Sequence, residues 1–470
     1  MQREVVEYVA SGHHVFSRGV LPIERVFLRS PAANISLVAR VKGFISKELF
    51  EAALVKSKKS HPLLSVRVNM NDDQEAEFTS DGVPEFMVKI CQRASENQWF
   101  QEILGQHKVP FNVERGPLIR FILLQSSKVS EIIIFCQHLI CDGMSLAFLM
   151  RDILLHLSEP SRKPGTPIKS PLLVPDNFPV KASVSLLARF IMRNINNSWK
   201  KQELIFDYED FREIHRAYWK NYTYGVLTIE MTEKETSDFV ARCRQNQVTI
   251  TSALCTAFLA ARQEVLQDEN NKSLVYVPVD LRSRLKMPVG ESYGLYASGV
   301  KFKFRYDPRR HYWDNTKELS KQLGKEVNSD KVFQNIVNMN LMHPTLWDAQ
   351  SFSFLGKKVS IDSDRHKKLS AFSNDKKNPA VKLNKKIREK SPELSLTNLG
   401  RLDFPLKYSQ FELEKLYFVP STGPFLEIVL GVVTVGRKLT ITINFTEEKI
   451  SKAKVEAIKD QAKKYLDSNN

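Results

Sequence analysis

The sequence has little of what announces a chemistry on its own. Its five cysteines, Cys91, Cys136, Cys141, Cys243 and Cys255, are an odd number, and no two stand at CxxC spacing. That pattern argues against a zinc ribbon and against a disulfide framework. It reads instead as reduced, buried thiols of an intracellular protein. No run of 18 apolar residues occurs, so no transmembrane segment is expected. The opening Met1-Gln2-Arg3-Glu4 leads into no apolar leader, and the expected location is cytoplasmic. The histidines, His13, His14 and His343 among them, lack metal-ligand spacing, so no metal is expected. Short-period repeats are also missing, which excludes solenoids and propellers.

What is present is a chain of 470 residues, 42% apolar and 26% charged. At roughly 100–200 residues per domain this allows two to four units. The net charge of +16 favours a polyanionic partner. The excess is concentrated: Lys357 to Lys390 holds twelve Lys/Arg against four Asp/Glu, a net +8 in 34 residues. This stretch reads as a solvated lysine-rich loop. It carries no RNA-binding aromatic signature and no zinc-finger spacing, so nucleic acid is not the expected partner. A basic nucleic-acid binder using this stretch stands as a rival reading.

Elements of both kinds alternate along the chain. Ser46 caps a helix with Leu49, Phe50, Ala53 and Leu54 on its apolar face, ending before Pro62. Leu63 to Val68 and Leu118 to Leu124 read as strands. Ile132 to Phe135 is wholly apolar, the pattern of a strand covered on both faces. Ser145 to Leu157 reads as a helix, and the proline-rich stretch Ser158 to Pro179 as an inter-domain crossover. Val184 to Lys200 carries Leu186, Leu187, Phe190, Ile191 and Ile195 with Arg189, Arg193 and Lys200. It reads as a surface amphipathic helix, with membrane contact as the alternative. Beyond it come a strand Tyr224 to Met231, a helix Thr251 to Leu266 and a strand Leu274 to Val279. Three strands follow near the end, Lys415 to Pro420, Leu426 to Val435 and Lys438 to Phe445, with a turn at Gly436-Arg437. A helix Ser451 to Leu466 is the last element. The fold class is α+β, in two halves of similar make-up, divided as 1–178 and 179–470.

The chemistry concentrates just after the apolar strand, in Gln137-His138-Leu139-Ile140-Cys141-Asp142-Gly143. An imidazole with an ordinary pKa near 6.5 can take a proton from a hydroxyl, amine or thiol at neutral pH. Asp142 can orient that ring, or it can pair with a cation and fix the turn. Gly143 allows an unusual backbone angle or a close approach. Cys141 has no second base nearby in sequence to activate it as a nucleophile.

This segment resembles the HHxxxDG signature of the superfamily of condensation domains, alcohol acetyltransferases and polyketide-associated acyltransferases, with chloramphenicol acetyltransferase as a more distant member. Five further segments match that family in its own order. They are Leu21-Pro22-Ile23-Glu24-Arg25, His61-Pro62-Leu63-Leu64, Pro110-Phe111-Asn112 through Gly116-Pro117-Leu118-Ile119-Arg120, Pro278-Val279-Asp280-Leu281-Arg282 and Thr397-Asn398-Leu399-Gly400-Arg401. The resemblance implies a pseudo-dimer of two chloramphenicol-acetyltransferase-like subdomains with a tunnel at their interface. The N-terminal subdomain carries the signature, and its histidine lies at the tunnel's middle.

The resemblance implies His138 as general base. Asp142, Gly143 and Arg282 support the site, with Asp142 paired to Arg282. Gln137, Thr397, Asn398 and Gly400 are candidate substrate or tunnel residues. Gln137 stands where the signature has its first histidine, a departure shared by several branches, and it leaves the branch open. The implied activity is that of a stand-alone, monomeric acyltransferase. It would move an acyl group from coenzyme A or an acyl carrier protein to a small-molecule alcohol or amine, with no permanently bound cofactor. An acidic carrier protein is a candidate partner for the basic stretch. The alternative is a non-catalytic relative that only docks a carrier protein or thioester.

Overall fold

The computed structural model describes residues 15–166, 171–179, 184–268 and 272–467. The opening Met1 to Glu4, the pair His13-His14, and Pro167 of the crossover lie outside them.

Two six-stranded sheets organise the chain. The first runs Lys407–Tyr408, Phe411–Val419, Asn34–Lys42, Val129–Gln137, Ile119–Gln125, Met87–Gln92. It is antiparallel except where Met87–Gln92 pairs with Ile119–Gln125. The second runs Ala297–Phe304, Ser273–Asp280, Leu394–Leu402, Ile428–Val435, Lys438–Thr446, Tyr224–Glu230. There Leu394–Leu402 is parallel to both neighbours. The fold is thus α+β, with each half built on a mixed sheet. The apolar run at Ile132 to Phe135 sits inside the nine-residue strand Val129–Gln137, a central strand of the first sheet. Ile132, Ile133, Ile134 and Phe135 are all fully buried, because helices and the neighbouring half cover both faces.

Helices cover the sheets where the sequence's periodic stretches lie. Ser46 caps Lys47–Ser60 by accepting the Leu49 amide at 3.2 Å, and that helix packs against Gly143–Ser158. On the second half, Ile250–Leu266 packs between Tyr312–Val327 and Lys452–Asp467. Gly436 and Arg437 both take positive φ, 55° and 60°, which joins two strands by a tight hairpin turn.

Two expectations are corrected. Leu63 to Val68 is not one strand: Pro62–Ser65 is a short 3₁₀ turn, and the strand is Arg67–Met70. Pro62 presets the turn's φ, and a run as short as Leu63 to Val68 does not declare its own period. The lysine-rich stretch is not a loop either. It folds as helices Asp364–Asn374 and Pro379–Arg388, capped by Ser363 and Asn378. These helices bury Leu369, Phe372 and Ala380 in a third, all-helical core with Trp199, Phe206, Phe211 and Phe352. Their charged residues outnumber the apolar ones, so the stripe that holds them is thin in the sequence.

A strand crosses from one half to the other. Phe411–Val419 comes from the later part of the chain yet pairs along Asn34–Lys42 in the first sheet. From the second sheet, the Thr440 hydroxyl donates to the Leu416 carbonyl at 2.6 Å, and that of Thr442 donates to the Phe418 carbonyl at 2.5 Å. Gly431 permits this approach, since a Cβ there would stand 2.3 Å from the Phe418 oxygen. Leu416 is fully buried between the sheets. Leu416→Ala is expected to lower stability by about 2–5 kcal/mol. In urea unfolding, circular dichroism and tryptophan fluorescence should shift together, because one strand serves both sheets.

Candidate active site

His138 follows the last residue of the strand Val129–Gln137 and lies in the tight turn before the helix Gly143–Ser158. Its backbone amide donates to the Ala33 carbonyl at 2.8 Å, which fixes where the turn leaves the sheet. Its ring stacks on Phe27, with centroids 4.3 Å apart and planes 20° from parallel. Nδ1 lies 2.6 Å from the Cys141 carbonyl oxygen. A carbonyl only accepts, so the proton sits on Nδ1 and Nε2 keeps its lone pair. Burial pulls the pKa of the imidazole below its ordinary value, only partly opposed by the Cys141 carbonyl and by Asp142. The ring is therefore neutral at pH 7.

Asp142 does not reach this ring with a hydrogen bond; its carboxylate is engaged elsewhere. Oδ1 caps the following helix by accepting the Ser145 amide at 2.8 Å. Oδ2 accepts the Tyr296 amide, also at 2.8 Å. Both oxygens face Arg282, at 2.9 Å and 2.8 Å, a bidentate pair with each partner almost fully buried. Burial pushes the Asp142 carboxyl up, and the Arg282 charge with these hydrogen bonds outweighs it, so the pKa falls below the usual carboxylate range. Arg282 also contacts Asp280 and the Ser145 hydroxyl, and lies over the Tyr296 ring at 5.0 Å. Gly143 opens the helix where two side chains crowd it: a Cβ would come within 2.6 Å of Leu399 and 2.8 Å of Phe418.

A cavity of about 730 Å³ lies against these residues. His138, Asp142 and Gly143 line it from one half, and Tyr276, Ser395 and Thr397 from the other. The crossing strand contributes Phe418. Towards Lys301, Lys331, Gln334 and Asn335 the lining becomes polar. Partial desolvation, together with the Lys390 charge, lowers the pKa of Lys301.

Other residues singled out in the sequence fall outside the lining. The Gln137 side chain donates to the Phe27 carbonyl at 2.7 Å and accepts the Leu139 amide at 2.5 Å, holding the turn from behind. Asn398 donates to the Thr251 hydroxyl and accepts the Gly400 amide. With Gly400 at φ 74°, it shapes a bulge in the strand Leu394–Leu402. The Cys141 thiol packs 3.1 Å from that of Cys136, and burial raises its pKa well above the ordinary value. It is held as a thiol, not a nucleophilic thiolate.

Sequence reading missed Ser145, whose hydroxyl donates to the Gly294 carbonyl at 2.6 Å and accepts the Gly294 amide at 3.0 Å. It also missed Phe27, Tyr296 and Phe418. Only the capping spacing Asp142 to Ser145 could have flagged the first; the rest depend on contacts distant in sequence. The opening motif has a structural job as well. Glu24 pairs with Arg18, and Arg25 reaches Asp348 at 2.6 Å, tying the site's Phe27 segment to the helical core.

Residues 17–165 match the family described as Condensation domain. Residues 221–351 match the one described as phthiocerol/phthiodiolone dimycocerosyl transferase C-terminus. Both matches fall in the condensation-domain and acyltransferase superfamily, one in each half of the chain, and support that resemblance. Bacitracin synthase 3 of Bacillus licheniformis is 30% identical over 121 residues, which span 26% of this chain and only 2% of the synthase.

Among solved structures, trichothecene 15-O-acetyltransferase from Fusarium sporotrichioides aligns at TM-score 0.66 and 13% identity, over 98% of this chain and 96% of that one. Polyketide synthase associated protein 5 from Mycobacterium tuberculosis aligns at 0.59 and 14%, over 95% and 97%. The starter condensation domain of rhizomide synthetase, solved with C8-CoA, aligns at 0.54 and 12%, over 96% and 93%. At these identities the likeness is one of fold.

Asp142→Ala should cost about 3–5 kcal/mol in urea unfolding, because it strands the buried Arg282 guanidinium. Adding Arg282→Met should recover part of that loss, since the pair is removed together. Gly143→Ala should cost about 1–3 kcal/mol through its collision with Leu399 and Phe418.

Proposed function

We propose that this chain transfers an acyl group from a thioester to a hydroxyl or amine acceptor, with His138 as the general base. The observation that carries the reading is the state of the His138 ring. Its proton is committed to the Cys141 carbonyl, its pKa is depressed by burial, and it lines the cavity. A neutral imidazole held with Nε2 as acceptor is the form a general base needs at pH 7.

In this mechanism the acceptor gives its proton to Nε2 as its oxygen or nitrogen attacks the thioester carbonyl. The tetrahedral oxyanion forms near the first turn of Gly143–Ser158, whose dipole favours negative charge. The carbon–sulfur bond then breaks, and the imidazolium returns the proton to the leaving thiolate. Asp142 and Arg282 take no part in the proton's path; they hold the turn that presents His138. Thr397 is a candidate substrate contact across the cavity. The divided chain, 1–178 and 179–470, then acts as two walls of one site, and a tunnel through it would admit donor and acceptor from separate faces.

The cationic end of the cavity at Lys301 suits a donor whose thiol arm carries phosphate, on coenzyme A or on a carrier protein. Gln137 does not argue against catalysis, because its side chain serves the turn and removes no acid or base from the cavity.

Acyl-coenzyme A thioesters paired with alcohols and amines, followed by thiol release, test the reading. His138→Ala should lower turnover about 10²–10⁴-fold with the fold retained. Unchanged turnover would remove His138 as the base, and wild-type inactivity with binding retained would favour the non-catalytic docking reading. The neutral ring is the reactive form, so kcat/KM should rise with pH below about 6.5 and stay flat above it. Lys301→Ala should raise KM about fivefold for acyl-coenzyme A and leave it unchanged for a phosphate-free acyl thioester.

A further inference from the structure

We propose that the helix Leu186–Lys200 is a membrane-surface element that seats on anionic phospholipid. The helix is apolar on two sides. At roughly 100° per residue, positions 188, 192, 195 and 199 share one face. Met192, Ile195 and Trp199 use it to pack on the all-helical core. The opposite face carries Leu186, Leu187, Phe190 and Ile191, exposed by 83%, 68%, 63% and 48%. Four adjacent large apolar side chains in water are costly and are not explained by the fold, which is already served by the other face.

Charge decides what covers them. Arg189, Arg193 and Lys200 flank the row, and none forms an ion pair among the described residues. They line a cavity of about 280 Å³ with His343, with room for a headgroup phosphate. The neighbouring helix Pro379–Arg388 packs against this one and belongs to the segment with net +8. An apolar row beside a cationic flank is the arrangement that inserts at a headgroup boundary and attracts anionic lipid. A second copy would bring the same cations against each other, which opposes self-association through this face. Nucleic acid would use the cations but leave the apolar row wet. The inference is independent of the acyl-transfer reading, although a membrane-seated enzyme has direct access to acceptors or acyl chains that partition into lipid.

The test is co-sedimentation of the full chain with vesicles of phosphatidylglycerol and phosphatidylcholine in equal parts, against pure phosphatidylcholine. Binding to the anionic vesicles is expected, at least about tenfold tighter than to the neutral ones and weakened by salt. Leu187→Ser with Phe190→Ser should weaken it about tenfold or more. Arg189→Gln and Arg193→Gln should each weaken it about fivefold. All four positions lie away from the His138 cavity, so activity on water-soluble substrates should not change, and either reading can fail alone. Four results would overturn the proposal: no binding to anionic vesicles at low salt; binding undiminished in the Leu187/Phe190 variant; full displacement by glycerol phosphate, which would mark a pocket for a soluble phosphate; or a dimer that dissociates on Phe190→Ser.

Discussion

The buried pair between Asp142 and Arg282 is the contact on which the site's geometry depends. One carboxylate caps the helix Gly143–Ser158, accepts the Tyr296 amide and meets the guanidinium in a fork. The residues come from a turn in the first half and the strand end of the second, 140 positions apart. Two charges taken out of water need this many partners to be tolerated. The same partners leave the turn little freedom, and His138 stands on that turn. The carboxylate's hydrogen bonds go to Arg282 and to the Ser145 and Tyr296 amides, and none goes to the imidazole.

The strand Phe411–Val419 makes the halves mutually dependent. It completes the first sheet, faces the threonines of the second, and sends Phe418 into the cavity wall beside Gly143. A loss in either sheet is therefore felt at the cavity. Shape comes from backbone approach as much as from side-chain choice: at Gly431 and Gly143 a methyl group would collide with Phe418.

The helical layer adds something the sheets do not need. Arg25 and Asp348 tie it to the Phe27 segment, so it braces the aromatic ring that stacks on His138. It also carries the basic stretch, net +8 over 34 residues, and the exposed apolar row of Leu186–Lys200.

Much of this was legible before folding. A wholly apolar run placed the strand Val129–Gln137, and helical apolar periods, with the Ser46 cap for the first, placed the helices Lys47–Ser60, Gly143–Ser158 and Ile250–Leu266 to within a few residues, because local burial and local hydrogen bonds determine them. The ordered motifs carried the resemblance to the superfamily and singled out His138, Asp142 and Arg282. Short apolar runs were ambiguous at Leu63, and a thin stripe hid the helices within Lys357 to Lys390. The tertiary structure alone decided that Gln137, Asn398 and Gly400 shape backbone turns while Thr397 faces the cavity. It alone brought Ser145, Tyr296, Phe27 and Phe418 to the site. These assignments rest on which way a side chain points and on which distant segment it meets. Residue order carries the chemistry of a side chain, and only packing gives it a neighbour.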